Sequence, residues 1–354
     1  MTRIAVVGGG LTGLSAAWEL GRVGVEAVVL ESEQRAGGVV VTERSNGFVV
    51  EGGPDGFLAA EPDIQELARE VGIGDRLVDQ QARGSSLWKG GRLEPLEEGR
   101  AAELLGIAGP AREDLAKGFR SFLGGMADIV DALVGRLGPV LRTASGVTRI
   151  TSSGRGVMLA LTGGSSVEAE GMILALPAGA AASLLEGLGL PPARELDDVR
   201  YDPSLTVSLA YRQDQVRANL QGTGFVAASR PGEGAVRACT YASLKYPGRA
   251  PAGHVLLRAF LASVDGDPSA VAHAELAKIL AISGAPLWAR VFHWIRGLPR
   301  YGPRHAERVG ELRARLAGLA PVTIAGAGVD GAGVSACVRS GRTAAREILK
   351  RVSA

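Results

Sequence analysis

I-A-V-V-G-G-G-L-T-G-L-S-A-A, residues 4–17, decides how this chain is read. The apolar run 4–7 predicts a strand, Gly8-Gly9-Gly10-Leu11-Thr12-Gly13 a glycine loop, and the residues from about Leu11 onward a helix. A second apolar run, 27–30, ends on Glu31, eighteen residues past Gly13. Strand, glycine loop, helix, strand and acid in that order form the dinucleotide-binding fingerprint with its context present. Gly8 permits the tight turn, Gly10 lets backbone approach a pyrophosphate, and Gly13 brings helix and strand together. The helix start aims free N–H groups at the phosphates. Glu31 stands where a carboxylate can accept ribose hydroxyls.

The rest of the composition bounds the answer. The chain has 354 residues, 46% of them hydrophobic, with 51 glycines, which fits a large core and either two or three compact domains or one divided into lobes. Its 39 basic and 37 acidic residues leave a net charge of +2, so nothing points to nucleic acid. Two cysteines, Cys239 and Cys337, make neither a disulfide framework nor a C-x-x-C pair, and the natural reading is a reducing compartment, the cytoplasm. Four histidines lack metal-ligand spacing, and no metal is expected. No apolar run is long enough to span a bilayer, which leaves room only for peripheral membrane contact.

After Glu31 come Ser32 and Arg35-Ala36-Gly37-Gly38-Val39, then two β-rich runs joined by Asn46-Gly47, a hairpin signal. Gly52-Gly53-Pro54-Asp55-Gly56 follows, small enough to leave backbone open to a planar ligand. Pro62 at a first helical position leads a helix ended by Gly72. A strand pair is expected over 85–96, a helix beyond Met126, and strands over 140–150, 157–161 and 172–176. A separate lobe is expected over roughly 183–315, with strands at 205–211, 236–242 and 255–261 and a helix over 271–282.

The last forty residues return to nucleotide chemistry. A strand over 322–325 runs into Gly326-Ala327-Gly328-Val329-Asp330-Gly331, which again spells G-x-G-x-x-G. Only 23 residues follow Gly331, enough for one helix over 334–352 and no further βαβ unit. A strand and helix completing the first sheet fit better than a second nicotinamide domain. This pairing of chain ends favours a flavin. Reduction places negative charge near its N1 and C2 carbonyl, which a helix N-terminus stabilises. The expected fold is therefore α/β, an FAD-binding Rossmann-like domain of glutathione-reductase type with a smaller α+β substrate lobe. The FAD domain is assigned to 1–84, 124–182 and 316–354, and the reduced lobe to 85–123 and 183–315.

At this point the chain resembles a family. V-V-G-G-G-L-T-G-L-S-A-A (6–17), E-S-E-Q-R-A-G-G (31–38), E-G-G-P-D-G-F-L (51–58), K-Y-P-G-R-A-P-A-G (245–253) and G-A-G-V-S-A-C-V-R-S-G-R-T-A-A (331–345) look like the porphyrinogen oxidases of haem synthesis, within the amine-oxidase class of FAD proteins. With the stretches L-W-K-G-G-R-L-E-P-L (87–96), F-L-G-G-M (122–126) and H-W-I-R-G-L-P-R-Y (293–301), the likeness covers both termini and most of the second half of the chain. The resemblance implies oxidation of coproporphyrinogen or protoporphyrinogen, with electrons passed to oxygen. Six electrons separate porphyrinogen from porphyrin, so three flavin cycles are needed. By carry-over, Gly8 to Gly13 hold the pyrophosphate and Glu31 with Ser32 the adenosine side. Arg35, Gly37, Gly38 and Val39 follow in the cofactor-binding run. Gly53, Pro54, Asp55 and Gly56 approach the flavin, and Val147 contacts adenine through its backbone. Trp294 lies near the cofactor, and Gly326, Gly333, Val334 and Ser335 belong to the turn beside the ring.

Departures concentrate on the substrate side. Only 25 residues separate Leu96 from Phe122, where relatives insert most of a substrate-binding, partly membrane-facing domain. The pocket is then open, rebuilt by a second subunit, or lost, and the uncovered apolar surface favours self-association. Val39 replaces a usual lysine or arginine, and Ala327 a usual polar residue. Seven arginines and two acids lie between Arg290 and Arg315, suited either to porphyrinogen propionates or to a solvated helix face. Lys245 and Arg249 either face substrate or pin the turn at Pro247-Gly248. Tyr301 and His305 are further substrate candidates, His305 being equally readable as a hydrogen-bonded structural residue. No paired carboxylates or nucleophile–base set appears, so no catalytic acid or base is assigned. Two alternatives stay open: another amine or small-molecule oxidoreductase of this class, and a non-catalytic FAD-binding remnant acting in a haem pathway.

Overall fold

The computed structural model of the chain describes residues 3–97, 99–104, 111–154, 156–189, 194–228, 234–319 and 321–353. The apolar run near the N-terminus forms the strand Arg3–Val7, and it occupies the middle of a five-stranded parallel sheet. The spatial order is Leu141–Arg142, Glu26–Leu30, Arg3–Val7, Gly171–Leu174, Val322–Ile324. In chain order that is 3-2-1-4-5, the doubly wound arrangement whose direction of progression reverses beside the first strand. Val7 and Leu174 end side by side at that reversal, and their registers pair directly. A crevice must open there, because the connections leave in opposite directions.

Both faces of the sheet are covered. The helices Leu11–Arg22, Ala127–Leu137, Asp63–Glu70 and Val334–Val352 share one apolar cluster around Ile4, Val6, Leu14 and Ile348. On the other face, the antiparallel strands Val147–Ser153, Gly156–Leu161 and Ser166–Ala169 join the helices Ala178–Leu185 and His305–Ala317 around Val7, Leu159, Leu185 and Leu312. The sheet strands carry apolar side chains on both sides, as burial on two faces requires. Gly8, at φ +105°, turns the chain where a Cβ would stand 2.4 Å from the Ala175 carbonyl oxygen. Only glycine fits.

A second sheet has seven strands in the order Trp288–Arg300, Arg200–Arg212, His254–Leu261, Val236–Tyr241, Gly224–Ala227, Ser85–Lys89, Arg92–Leu96. All neighbours are antiparallel except Gly224–Ala227 with Ser85–Lys89. The helix Pro268–Ile279 packs on one of its faces around Leu209, Leu257 and Leu276.

The return of the chain end to the first sheet is as the sequence predicts: Val322–Ile324 pairs in parallel with Gly171–Leu174, and the last helix spans Val334–Val352. Other boundaries differ for physical reasons. The continuous strand expected over 140–150 is broken into Leu141–Arg142 and Val147–Ser153, because Ala144 adopts φ +49° where the chain passes from one sheet to another. The helix expected over 271–282 runs from Pro268 to Ile279, since Asp267 caps it by accepting the Ser269 N–H at 2.9 Å and Ala281 turns at φ +49°. Pro62 is the residue before the helix Asp63–Glu70 and not its first. The expected lobe boundaries at 182/183 and 315/316 fall inside the helices Ala178–Leu185 and His305–Ala317. Both helices bury their apolar residues under the parallel sheet, so the physical break falls where the strands Arg200–Arg212 and Trp288–Arg300 leave it. Phe119–Phe122 likewise pairs with Phe57–Leu58 and Leu77–Asp79, outside the seven-stranded sheet.

Candidate active site

A cavity of about 790 Å³ opens at the reversal point of the parallel sheet and runs to a face of the seven-stranded sheet. Gly10, Leu11 and Thr12 form its wall at the start of one helix, and Val334 and Cys337 at the start of another. Both helices begin on glycine, Gly10 and Gly333, with no side-chain cap and no acid in the first turn. Their first N–H groups therefore keep their donor capacity for a ligand. A Cβ on Gly10 would meet nothing within 4 Å, so open space faces the backbone there. An elongated molecule with a phosphate portion and an electron-accepting end meets a positive helix terminus at each. A flavin dinucleotide fits these donors.

Behind the loop, Glu31 is buried and doubly held. Its Oε2 accepts the Gly9 N–H at 2.6 Å, and its Oε1 accepts Glu33 N–H at 2.8 Å and Ser32 Oγ–H at 3.2 Å. Ser145 N–H donates to the Glu31 carbonyl at 2.7 Å, bringing the chain leading into Val147 past the same turn. Arg35 is exposed and donates to the Gly38 carbonyl at 2.6 Å, fixing the glycine pair. Gly37, Gly38 and Val39 line the cavity. Gly8, Gly9, Gly13, Glu31, Ser32 and Val147 stand outside its lining, as do Gly56, Gly333 and Ser335.

The loop 52–55 forms the wall where the two sheets meet. Trp294 Nε1–H donates to the Gly52 carbonyl at 2.6 Å, and Arg258 Nη1 donates to the Gly53 carbonyl at 2.7 Å. A Cβ on Gly53 would lie 1.8 Å from the Val39 carbonyl oxygen, so this backbone is wedged against the glycine-pair turn. Asp55 is held by Lys245, Nζ to Oδ2, at 2.8 Å. Burial works to raise the Asp55 carboxyl, but Lys245 and Arg258 outweigh it and hold the group below its ordinary range. Gly53, Pro54, Asp55, Lys245 and Trp294 all line the cavity. So does Arg258, which sequence reasoning missed. Its local mark is one arginine inside the apolar strand V-L-L-R-A-F-L, residues 255–261, which the sequence alone does not connect to the cavity.

The remaining candidates take up supporting positions. Arg249 is 1% exposed and donates to Ser121 Oγ at 2.8 Å, Leu123 O at 3.0 Å and Phe122 O at 3.1 Å, with Glu51 3.6 Å away. It does not line the cavity. Tyr301 stacks on His305 with ring centroids 4.5 Å apart. Tyr301 Oη–H donates to the Ala327 carbonyl at 2.6 Å, and His305 Nε2 lies 3.0 Å from the Val329 carbonyl. Together they steady the turn whose Gly326, Ala327 and Gly328 line the cavity. Of the arginines between 290 and 315, Arg290, Arg300, Arg304, Arg308, Arg313 and Arg315 form ion pairs. Arg296 lines the cavity, and no hydrogen bond or ion pair to it is found among the described residues.

Known proteins align with this arrangement along its length. The family model described as flavin containing amine oxidoreductase matches residues 11–124 and 101–349. A coproporphyrinogen III oxidase of Bacillus subtilis is 24% identical over 462 positions, covering 98% of this chain and 97% of the relative. One of Mycobacterium tuberculosis is 26% identical over 449 positions, covering 99% and 98%. Both alignments are longer than the 354 residues here, so these relatives carry sequence that this chain lacks. The solved structure of a putative protoporphyrinogen oxidase from Exiguobacterium sp. 255-15 superposes with a TM-score of 0.85 at 22% identity, covering 99% of each chain. No helix among the described residues is long and apolar enough to cross a membrane. The chain belongs to the flavin-containing amine oxidoreductase family and is an FAD-dependent oxidoreductase.

Proposed function

We propose that this protein oxidises a porphyrinogen, coproporphyrinogen III above protoporphyrinogen IX, to the porphyrin in haem biosynthesis, passing electrons to oxygen. The observation that carries this reading is the charge of the cavity wall. Lys245, Arg258, Arg296 and Arg300 stand against Asp55 and Asp202, a cationic excess in which Arg296 has no ion-pair partner among the described residues. Guanidinium groups match carboxylates in shape and charge, which suits a tetrapyrrole bearing several propionates. The names of the Bacillus and Mycobacterium relatives support the same substrate class.

Bound FAD supplies the acceptor for hydrogen leaving the substrate. The chain's own residues do the rest by placement. The two glycine-capped helix starts bind the cofactor's anionic portions. Trp294 and Arg258 fix the 52–55 backbone through its carbonyls. Phe225, Phe260 and Leu205 give the sheet side of the cavity an apolar face for a flat ring system. Arg296 orients a carboxylate at its edge. The cofactor unit in this reading comprises 1–84, 124–182 and 316–354 with the helices that straddle those limits, and the substrate lobe is built on the seven-stranded sheet.

The test is an anaerobic titration of the yellow holoprotein with coproporphyrinogen, following flavin bleaching and porphyrin bands together. Stoichiometric bleaching with porphyrin formation is expected. Flavin that stays oxidised while a small amine bleaches it would replace this reading with amine oxidation.

A further inference from the structure

One stretch of the cavity wall carries more positive charge than its local acid balances. Lys245 is 14% exposed at its side chain, and its Nζ sits 5.3 Å and 5.4 Å from the ring centroids of Tyr246 and Phe119. An ammonium has three donors, and the hydrogen bond to Asp55 Oδ2 uses one. Arg258 is 6% exposed. Its Nη1 holds the Gly53 carbonyl and its Nη2 reaches Thr206 Oγ1 at 3.5 Å, while Nε is buried without a partner among the described residues. Two cations therefore flank one carboxylate, and all three line the cavity beside the loop 52–55. Behind them, Glu51 faces Arg249 at 3.6 Å.

We propose that Lys245 and Arg258 are electrostatic positioning residues for the flavin: their excess positive charge, delivered through a buried wall, raises the flavin's affinity for electrons. Reduction adds negative charge to the N1–C2 carbonyl end of the ring system, and fixed charge in a poorly solvated site acts on it without reorganisation. The helix starting at Val334 contributes about half a charge at its N-terminus. The Lys245–Asp55–Arg258 group contributes a net whole one. At an effective dielectric of about 20 and a separation of roughly 10 Å, one charge is worth about a tenfold change in an equilibrium constant. This inference rests on FAD binding and not on the porphyrinogen reading.

Sulfite tests it without substrate. Its sulfur lone pair adds to flavin N5 and leaves negative charge on the N1–C2 carbonyl end, so its dissociation constant reports local charge. In the FAD-loaded full chain, Lys245→Met is expected to weaken sulfite binding about tenfold and to lower the flavin midpoint potential. Lys245→Arg restores both. Asp55→Asn removes the opposing charge and shifts both in the other direction. A Lys245→Met holoprotein with a sulfite constant within about twofold of the parent overturns the proposal. So does an Asp55→Asn shift of the same sign as that of Lys245→Met. If Lys245→Met does not retain FAD, the Asp55→Asn holoprotein decides alone: unchanged or weakened sulfite binding overturns the proposal. Failure to oxidise coproporphyrinogen leaves these readouts untouched.

Discussion

Gly341 rests on the backbone of Thr12: a Cβ on Gly341 would stand 2.2 Å from the Thr12 carbonyl oxygen. The contact joins the helix that follows the glycine loop to the helix that ends the fold. Both start at the cavity, so their spacing sets where two sets of N–H donors point.

Gly341→Ala tests that contact. In an exposed helix interior the change would stabilise by about 1 kcal/mol through propensity. Here the added methyl meets backbone, which cannot rotate away, and overpacking costs about 1–3 kcal/mol. The expected result is a lower Tm with weaker FAD retention. A variant as stable as the parent would mean the helices slide apart freely.

Glu31 ties the glycine loop to the end of the second strand through Gly9 at 2.6 Å. Replacing the carboxylate by an amide, Glu31→Gln, removes a charge-assisted acceptor, a loss of about 1.5–3 kcal/mol. FAD affinity should fall roughly tenfold to a hundredfold by fluorescence titration. Unchanged affinity would detach Glu31 from cofactor binding.

What the sequence made legible was whatever depends on local chemistry repeated in order. The glycine loop, the acid after the second strand and the returning strand Val322–Ile324 all rest on short apolar runs and glycine spacing, and the sheet assembles as they indicate. Arg258 escaped because a charge inside an apolar strand has meaning only once a neighbour across the sheet is known. Arg249 was equally opaque. Its partners Ser121, Phe122 and Leu123 lie 126 to 128 residues away in sequence, and nothing local separates a buried anchor from a ligand-facing arginine. The break at Ala144 was hidden for a related reason: passage between two sheets is decided by tertiary pairing and not by propensity.

Arg249→Met separates those two roles. The substitution leaves Glu51 and the Phe122 and Leu123 carbonyls without their cation in a buried site. Breaking a buried pair from one side costs about 3–5 kcal/mol. Urea unfolding should register the loss. If stability holds and only substrate affinity falls, Arg249 faces substrate after all.

Glu51 predicts a pH dependence. Burial raises its carboxyl above the ordinary value, against the pull of Arg249 and the hydrogen bonds from Thr42 and Met126. A group raised in the folded state binds its proton more tightly there than in the unfolded chain. Its stabilising contribution is therefore complete below the unfolded value of 4.5 and declines as pH rises through the higher folded value. Glu51→Gln cannot titrate. The stability of the parent relative to this variant should fall with rising pH across that window, by urea midpoints at matched ionic strength. A difference that grows with pH would reverse the sign assigned here.

Arg296 gives the most direct test of the substrate side. The paired arginines nearby have their charge met: Arg300 Nε lies 2.6 Å from Asp202 Oδ2, and Arg304 is bound by Glu307. Their loss should alter local packing more than substrate affinity. Arg296 lies on the same strand as Trp294, two residues along, and both line the cavity. A carboxylate bound there would gain a charge-assisted hydrogen bond, about 1.5–3 kcal/mol. Arg296→Met is expected to raise the coproporphyrinogen KM about tenfold or more with kcat little changed, because the contact is made equally before and during oxidation. Raising salt should weaken the parent's substrate binding and leave the variant less affected. If KM stays constant in Arg296→Met, the substrate carboxylates dock elsewhere, and the cationic wall answers to the cofactor alone.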